Sequence, residues 1–226
     1  MRPSPPTPQS EEELLDRADD LAGRCLAEIA RVYGVVVPPD LRHHKGWIGD
    51  LLERALGAMA GGQAGPDLPE LGIELKTIPV NDNGKPREAT WVCVAPMDRI
   101  ELGAWQTSPV RKKLARVLWI PVVGDGPPGE RRIGAPIIWS PTADQEEALA
   151  GDWDALSEMI SEGEVWQWKA HHGRALQVRP KAARGDDYIW VLNGEGDWVQ
   201  TVPLGFYLRA RFTSQVLAME HRLVLP

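Results

Sequence analysis

The sequence predicts an α/β domain built on a mixed sheet. Apolar residues at helical spacing come first in the chain, and short apolar strand-like runs follow from residue 73 onward. Further helical segments lie among and after those runs. Helices interspersed with strands in this way pack against a mixed sheet. With 226 residues, the chain is long enough to bury the core of one sizeable domain.

The N-terminal third predicts two helices. Ser10 followed by Glu13 forms the pattern of a capping box, and apolar residues continue at helical spacing until Gly34. One helix is therefore predicted from Ser10 to Gly34. A second helix is predicted to begin near Lys45 and to end at Gly57, a residue favoured just beyond a helix C-terminus.

The middle of the chain predicts several strands and one long helix. The turn-rich sequence NDNGKPRE predicts a hairpin loop between strands at 73–78 and 90–95. An acidic helix is predicted over 142–162, with four residues facing inward: Leu149, Trp153, Leu156 and Ile160. The other predicted strands are 117–123, 136–140, 165–168, 176–178, 188–192 and 198–202.

The chain ends in a further predicted helix, from Phe212 to His221, with Thr213 as a candidate N-cap. At the other end, residues 1–9 are rich in proline and predict a disordered leader before a single domain over 10–226. The N-terminus lacks the apolar stretch of a secretory signal, and no apolar run is long enough to span a bilayer.

The charge of the chain limits the ways in which it can bind a polyanion. The net charge is −7 and the sequence pI is about 5.3, which argues against bulk electrostatic coating of DNA. Two segments are locally basic: 111–116, and 167–184, which has five Lys or Arg and no acidic residue. Cys25 and Cys93 lie in apolar segments without metal-ligand spacing, as expected of core residues in a reducing cytoplasm.

Asp67, Glu74 and Lys76 form the pattern D-x6-E-x-K around an apolar strand. Successive side chains of a strand point to opposite faces, so Glu74 and Lys76 share one face. Two carboxylates can hold Mg²⁺ through oxygen ligands, and a nearby ammonium can orient a water that attacks a phosphodiester. The spacing alone is weak evidence, because a surface ion pair gives the same pattern. Glu53 on the preceding helix could face the same site, although a solvated helix edge explains it equally well.

A resemblance to a known family covers most of the chain from about residue 20. The sequence resembles the MutH family of mismatch repair endonucleases in seven blocks that occur in the family's order: KGWIGDLLERALG, LGIELKTIPV, TWVCVAP, VRKKLARVLWIPV, WSP, LQVRPKAA and GFYL. The resemblance implies a restriction-endonuclease-like fold with two arms around a DNA cleft. It implies an N-terminal arm of about 10–110 with most of the active site, and a C-terminal arm of about 111–226 with the target-reading loop.

The resemblance also implies roles for individual residues of the active site. Asp67 and Glu74, with Glu53 close by, match the metal-binding residues, and Lys76 matches the residue that handles the attacking water. Lys113 matches an active-site lysine near the scissile phosphate. The implied cofactor is Mg²⁺, for which Mn²⁺ or Ca²⁺ can substitute in binding.

Residues that meet the DNA are implied in the same way. Lys45 matches a DNA-side lysine, Arg179, Pro180 and Lys181 match the loop that reads the target, and Tyr207 matches a tyrosine implicated in sensing adenine methylation. Trp91 stands where the family often has phenylalanine and keeps an aromatic ring near the DNA. Two departures from the family leave contacts open: Ala115 stands where a second lysine can occur, and 184–199 is unusually acidic and aromatic.

The implied function is methyl-directed mismatch repair. The resemblance implies a monomeric cytoplasmic endonuclease, with no membrane association, that nicks the unmethylated strand of double-stranded DNA at hemimethylated GATC sites. MutL would activate it, with MutS acting indirectly. Two alternatives stay open: a GATC-specific restriction enzyme that cuts both strands, and a catalytically silent DNA-binding protein.

Several of these residues also have simpler explanations. The basic run 111–116 is compatible with a solvated helix face, and 167–184 with a basic hairpin that balances the acidic helix before it. Arg179 has the chemistry to bind guanine through two hydrogen bonds, whereas Lys181 could hold a phosphate without reading sequence. Tyr207 could be a core tyrosine with a bonded hydroxyl. The paired histidines lack a third ligand at zinc-like spacing.

Overall fold

The computed structural model describes residues 3–58, 65–96, 102–162, 173–181, 188–192 and 197–221. The chain forms two compact units, and each is made of separated stretches of sequence. The first comprises Met1–Arg87, Ala115–Ser140 and Val216–Pro226; the second comprises Glu88–Leu114 and Pro141–Gln215. The two DNA-binding arms, with a boundary near residue 110, stay a prediction.

Three helices begin the first unit: α1 (Glu11–Asp19), α2 (Leu26–Tyr33) and α3 (Trp47–Leu56). The prediction of one helix from Ser10 to Gly34 is wrong, because the chain turns between α1 and α2. Gly23 there is left-handed, with a φ of 76°. Its N–H donates to the carbonyl of Ile133 at 2.8 Å, and the N–H of Leu26 donates to Arg131 at 2.8 Å. These bonds to a distant strand replace the bonds of a continuous helix.

The predicted start of α1 and the predicted end of α3 are confirmed. The Ser10 hydroxyl accepts a hydrogen bond from the N–H of Glu13, and the Glu13 carboxylate accepts one from the N–H of Gln9. Gly57 follows α3 in the left-handed conformation, with a φ of 80°, so it closes that helix as a glycine cap.

A mixed four-stranded sheet completes the first unit, as predicted. Its strands are β1 (Glu74–Val80), β3 (Val117–Val123), β4 (Arg132–Ile133) and β5 (Ile137–Trp139). β1 runs parallel to β3, whereas β4 and β5 pair with β3 in the antiparallel direction. β3 is therefore the central strand, and four of its seven residues are buried in succession at its start. The core of the unit lies between the sheet and α1–α3 and includes Leu14, Leu26, Leu51, Leu56, Ile73, Leu118 and Ile120.

The second unit is built around a three-stranded antiparallel sheet. Its strands are β2 (Thr90–Val94), β6 (Leu176–Pro180) and β9 (Leu204–Leu208), with β9 in the centre. The predicted hairpin between β1 and β2 is wrong, because β1 pairs with β3 and β2 pairs with β9. The turn-rich sequence does form a local turn, in which Asn81 N–H donates to Lys85 at 3.0 Å. Strand β9 was not predicted as a strand.

Three helices belong wholly or in part to the second unit: α4 (Pro109–Leu114), α5 (Ala143–Ser161) and α6 (Ala210–His221). A capping box of Thr142 and Gln145 opens α5, and its four predicted inward residues are buried. The prediction for α6 is wrong at its start. The helix begins at Ala210, and Thr213 is buried within it rather than capping it, with its Oγ1 3.4 Å from that of Thr90.

A separate two-stranded antiparallel sheet is formed by β7 (Ile189–Leu192) and β8 (Trp198–Thr201), close to two of the predicted strands. The strand predicted at 165–168 lies outside the described residues. Short 3-10 helices occur at Trp105–Thr107 and Pro128–Glu130. None of the helices in the described part of the chain has the length and apolarity needed to cross a membrane.

Candidate active site

Glu74 and Lys76 form a buried ion pair on one face of β1. The Nζ of Lys76 lies 2.5 Å from the Oε1 of Glu74, and the two residues are only 9% and 2% exposed. The two-residue period of the strand puts both side chains on the same face, as the sequence predicts. Buried charges are costly without partners, so each side chain stabilises the charge of the other in this position.

Asp67 is brought to the same strand by a tight loop. Leu68 and Ile73 exchange backbone hydrogen bonds across the loop, and Gly72 turns it with a φ of 66°. The Oδ2 of Asp67 then accepts a hydrogen bond from the N–H of Leu75 at 2.9 Å. Since Leu75 stands between Glu74 and Lys76, the loop fixes the Asp67 carboxylate beside the residues of the ion pair.

Glu53 lies on α3, where it is half-buried and interacts electrostatically with the other carboxylates. Its pKa is raised from 4.5 to about 7, mainly because burial disfavours the charged form. The negative charges of Asp67, Asp50 and Glu74 raise the pKa further, and the positive charge of Lys76 lowers it. The predicted third acidic residue of the site is therefore electrostatically coupled to Asp67, Glu74 and Lys76. The contribution of Asp50, three residues before Glu53 on α3, was missed from the sequence, although that helical spacing could have revealed it.

The donor atoms of this cluster fit a hard divalent cation. Among the described residues, no three His, Cys, Asp or Glu side chains already stand in a metal-holding arrangement. Here the Glu74 carboxylate faces Lys76, and Asp67 faces a backbone N–H. All the same, the acidic groups supply the oxygen ligands that Mg²⁺ prefers, and a cation would relieve the repulsion that raises the pKa of Glu53.

The predicted DNA-side lysine, Lys45, and the predicted active-site lysine, Lys113, lie in different units. Lys45 is exposed and lies in the turn before α3 in the first unit, eight residues before Glu53 in sequence. Lys113 lies on α4 in the second unit and is half-buried. Two other members of the basic run 111–116 form ion pairs: Arg111 with Glu146 at 2.7 Å, and Arg116 with Glu11. For these two arginines, a structural role explains the charge.

Candidate DNA-reading residues from three separate stretches of sequence meet in the second unit. Trp91 of β2 stands opposite Tyr207 of β9, and their rings form an edge-to-face pair with centroids 5.2 Å apart. The Nζ of Lys181 lies 4.4 Å from the centroid of the Trp91 ring, as in a cation–π contact. Gly205 makes room for the indole, because a Cβ there would lie 2.0 Å from Cζ3 of Trp91.

Arg179 and Pro180 are exposed at the end of β6, next to this aromatic pair. Arg179 stands opposite Gly205 in the pairing of β6 with β9. The pKa of Tyr207 is raised by burial, while the nearby charge of Arg179 lowers it and that of Glu88 raises it. The half-buried ring of Tyr207 thus lies within electrostatic range of the predicted guanine-binding arginine.

One buried carboxylate of the second unit was missed from the sequence. Asp152 lies among the inward-facing apolar residues of α5 and is 6% exposed. A charged residue on the inner face of an amphipathic helix could have marked it, because such a carboxylate needs hydrogen-bond partners.

Comparison with known proteins adds an independent line of evidence. Residues 56–152 match the family model described as DNA mismatch repair enzyme MutH. The chain is 50% identical over 214 residues to the DNA mismatch repair protein MutH of Vibrio parahaemolyticus, covering 94% of this chain and 95% of that protein. It is 49% identical over 220 residues to the protein of the same name from Serratia proteamaculans, covering 96% of each.

Proposed function

Since this chain belongs to the MutH family of DNA mismatch repair enzymes, we propose that it nicks the unmethylated strand of DNA at hemimethylated GATC sites. It is a mismatch repair endonuclease, and DNA is its partner. Activity depends on a divalent metal ion, which we propose is Mg²⁺. The observation that carries the proposal is the buried pair of Glu74 and Lys76 with Asp67 bound beside it.

Asp67, Glu74 and Glu53 would hold the cation, since their carboxylates are hard oxygen donors on adjoining elements. When bound, the cation supplies positive charge that offsets the charge developing on the phosphate. Lys76, on the same strand face as Glu74, orients the attacking water, and its ammonium favours loss of a proton from that water by stabilising the hydroxide. Lys113 stabilises the phosphate as negative charge develops on it.

The reaction breaks one phosphodiester bond. The water oxygen forms a bond to phosphorus while the bond from phosphorus to the 3′ oxygen breaks. The products are a 5′-phosphate and a 3′-hydroxyl, which takes up the proton. One active site in a monomer cuts one strand, which suits strand-directed repair better than a double-strand break does.

Target reading is assigned to the second unit. Arg179 donates two hydrogen bonds to guanine in the major groove, with Pro180 after it as the last residue of β6. Tyr207, packed against Trp91, meets the adenine whose N6 is methylated in one strand. Lys181 and Lys45 contact phosphates and position the duplex.

Partners beyond DNA complete the proposal. MutL would activate the nuclease, and MutS would act through MutL after binding a mismatch. The enzyme would work in the cytoplasm, where the DNA is. Activation by a partner keeps nicking at the many GATC sites of a genome low until a mismatch has been found.

A plasmid assay tests this function. A supercoiled plasmid with one GATC site is incubated with the protein, Mg²⁺ and MutL in unmethylated, hemimethylated and fully methylated forms. We expect nicking of the unmethylated strand, stimulation by MutL, and loss of nicking in Glu74→Ala. Glu70→Ala, a change of an exposed glutamate in the loop before β1, is the matched control and should nick normally.

The alternatives have distinct outcomes in the same assay. Linear product without MutL would identify a restriction enzyme that cuts both strands. Methylation-sensitive binding without cleavage, with Mg²⁺ present, would identify a catalytically silent DNA-binding protein.

A further inference from the structure

Asp152 carries a carboxylate in the apolar interior of the second unit. It lies on α5 beside Leu149, Trp153 and Leu156, which are fully buried, and is itself 6% exposed. An ionised carboxylate in such a place is costly unless hydrogen bonds replace its water. Its hydrogen-bond partners therefore indicate what it does for the fold.

Those partners are three consecutive backbone N–H groups. Arg174 donates to both oxygens of Asp152, at 2.9 Å and 2.8 Å. Ala175 and Leu176 donate to Oδ2 at 2.6 Å and 2.8 Å. Gly173, left-handed with a φ of 75°, precedes them. Successive N–H groups directed at one anion in this way form a nest, which holds both oxygens of the carboxylate.

The nest stands at the entrance to the strand that carries the candidate reading residues. Leu176 is the first residue of β6, and Arg179 follows three residues later, about 10 Å along an extended strand. Beyond the end of β6, the N–H of Lys181 donates to the carbonyl of Pro203 at 2.6 Å. Asp152 thus fixes one end of this strand, and Pro203 fixes the other.

The register of β6 against β9 determines where the candidate reading residues stand. Gln177 stands opposite Tyr207, and Arg179 opposite Gly205. A slip of one residue would turn every side chain of β6 to the other face of the sheet, Arg179 included. A fixed start of β6 therefore determines which side chains of this strand face the DNA in the proposed function.

We infer that Asp152 is a positioning residue for target recognition: its carboxylate sets the register and entry of β6 and thereby the placement of Arg179 and Lys181. The inference rests on the proposed function, in which those two residues meet DNA. Among the described residues, the hydrogen bonds to the Asp152 carboxylate come from the backbone of the strand entry. Its removal should therefore impair the choice of target more than non-specific attraction to DNA.

Asp152→Asn is the substitution that changes the hydrogen bonding of this side chain with the least change in its shape. The amide has the shape of the carboxylate but keeps one acceptor oxygen, and its NH₂ group would face N–H donors. We expect the ratio of binding to a GATC duplex over a duplex with one changed base pair to fall about tenfold, comparable to losing one good base contact. Binding to the changed duplex should fall less, because the phosphate contact of Lys45 does not depend on β6, although that of Lys181 does.

Asp154→Asn is the matched control, since it makes the same chemical change on an exposed residue of the same helix. Hydrogen exchange of a peptide covering 173–181 gives a second readout that does not depend on DNA. Exchange should accelerate in Asp152→Asn and stay unchanged in Asp154→Asn. Asp152→Glu keeps the charge but lengthens the side chain, so it should also lower the ratio, and it serves if the asparagine variant does not fold.

The outcomes separate this inference from the proposed function. Unchanged discrimination and unchanged exchange in a folded Asp152→Asn protein would overturn the inference. Accelerated exchange with full discrimination would also overturn it, because Asp152 would then serve the fold alone. A wild-type protein that does not prefer GATC would refute the proposed function, whereas the exchange result would still report on the strand entry.

Discussion

Lys76 and Glu74 are joined by a 2.5 Å contact between Nζ and Oε1, and both side chains are buried on one face of β1. Each side chain offsets the charge of the other in a place where water is largely excluded. The same pair stands at the centre of the proposed chemistry. Its stability in the protein without metal and its role in catalysis can therefore be tested with the same variants.

Breaking this ion pair should cost more than replacing it. Lys76→Met leaves the Glu74 carboxylate buried without its ammonium, so the free energy of unfolding should fall by about 3 kcal/mol. Glu74→Gln combined with Lys76→Met should recover a large part of that loss, because neither charge remains. Urea unfolding of the metal-free proteins at pH 7 measures both. A double variant as unstable as the single one would contradict the predicted coupling.

The pH dependence of stability should reveal the raised pKa of Glu53. Its folded-state pKa of about 7 is above the ordinary 4.5, so the protein is penalised as pH rises from 4.5 through 7 and Glu53 ionises. Without metal, Glu53→Gln should therefore be more stable than wild type at pH 8 and no more stable at pH 5. Melting temperatures across this range give the test.

Metal should reverse that penalty in the wild type. A cation favours ionised Glu53, so Mg²⁺ should raise the melting temperature more at pH 8 than at pH 6. In Glu53→Gln, this difference between the two pH values should shrink. An equal effect of Mg²⁺ at both pH values in wild type would argue that Glu53 is not a ligand.

Gly205 should tolerate no side chain, because the indole of Trp91 occupies the space of a Cβ. Gly205→Ala should displace Trp91 from Tyr207 and lower stability by about 1–3 kcal/mol, as overpacking does. Gly151→Ala is the matched control, since a Cβ there meets nothing within 4 Å in the helix α5. It should raise stability by about 0.5–1 kcal/mol. Denaturant unfolding monitored by tryptophan fluorescence compares the two, and equal stability changes would be inconsistent with the packing.

Arg179 and Lys181 should differ in what they contribute to DNA binding. Arg179→Ala should cost about 1–3 kcal/mol on the GATC duplex and little on other sequences, as expected of a base contact. Lys181→Ala should weaken binding to all sequences alike and lower the salt slope by about 1. Fluorescence anisotropy at several salt concentrations measures both, with Arg31→Ala on α2 as a control in an exposed cation. Identical effects of the two substitutions would contradict the division of roles.

Local patterns in the sequence predicted several elements correctly, each for a reason that stays within a few residues. The strand period placed Glu74 and Lys76 on one face, the Ser10 cap placed the start of α1, and Gly57 ended α3. The wrong predictions share one cause, which is a partner far away in sequence. The carbonyls of Arg131 and Ile133 interrupt the predicted first helix, and pairing of β2 with β9 replaces the predicted hairpin.

By itself, the sequence determined the mixed α/β class, the acidic and lysine residues of β1 and, through its long resemblance, membership of the MutH family. The assigned roles of individual residues stay predictions. Only the tertiary structure decided that Asp67 binds the backbone of Leu75, and that Trp91, Lys181 and Tyr207 meet on one sheet. The residues of each contact are too far apart in sequence for a helical or strand period to predict the contact. Strand pairing and loop closure bring them together.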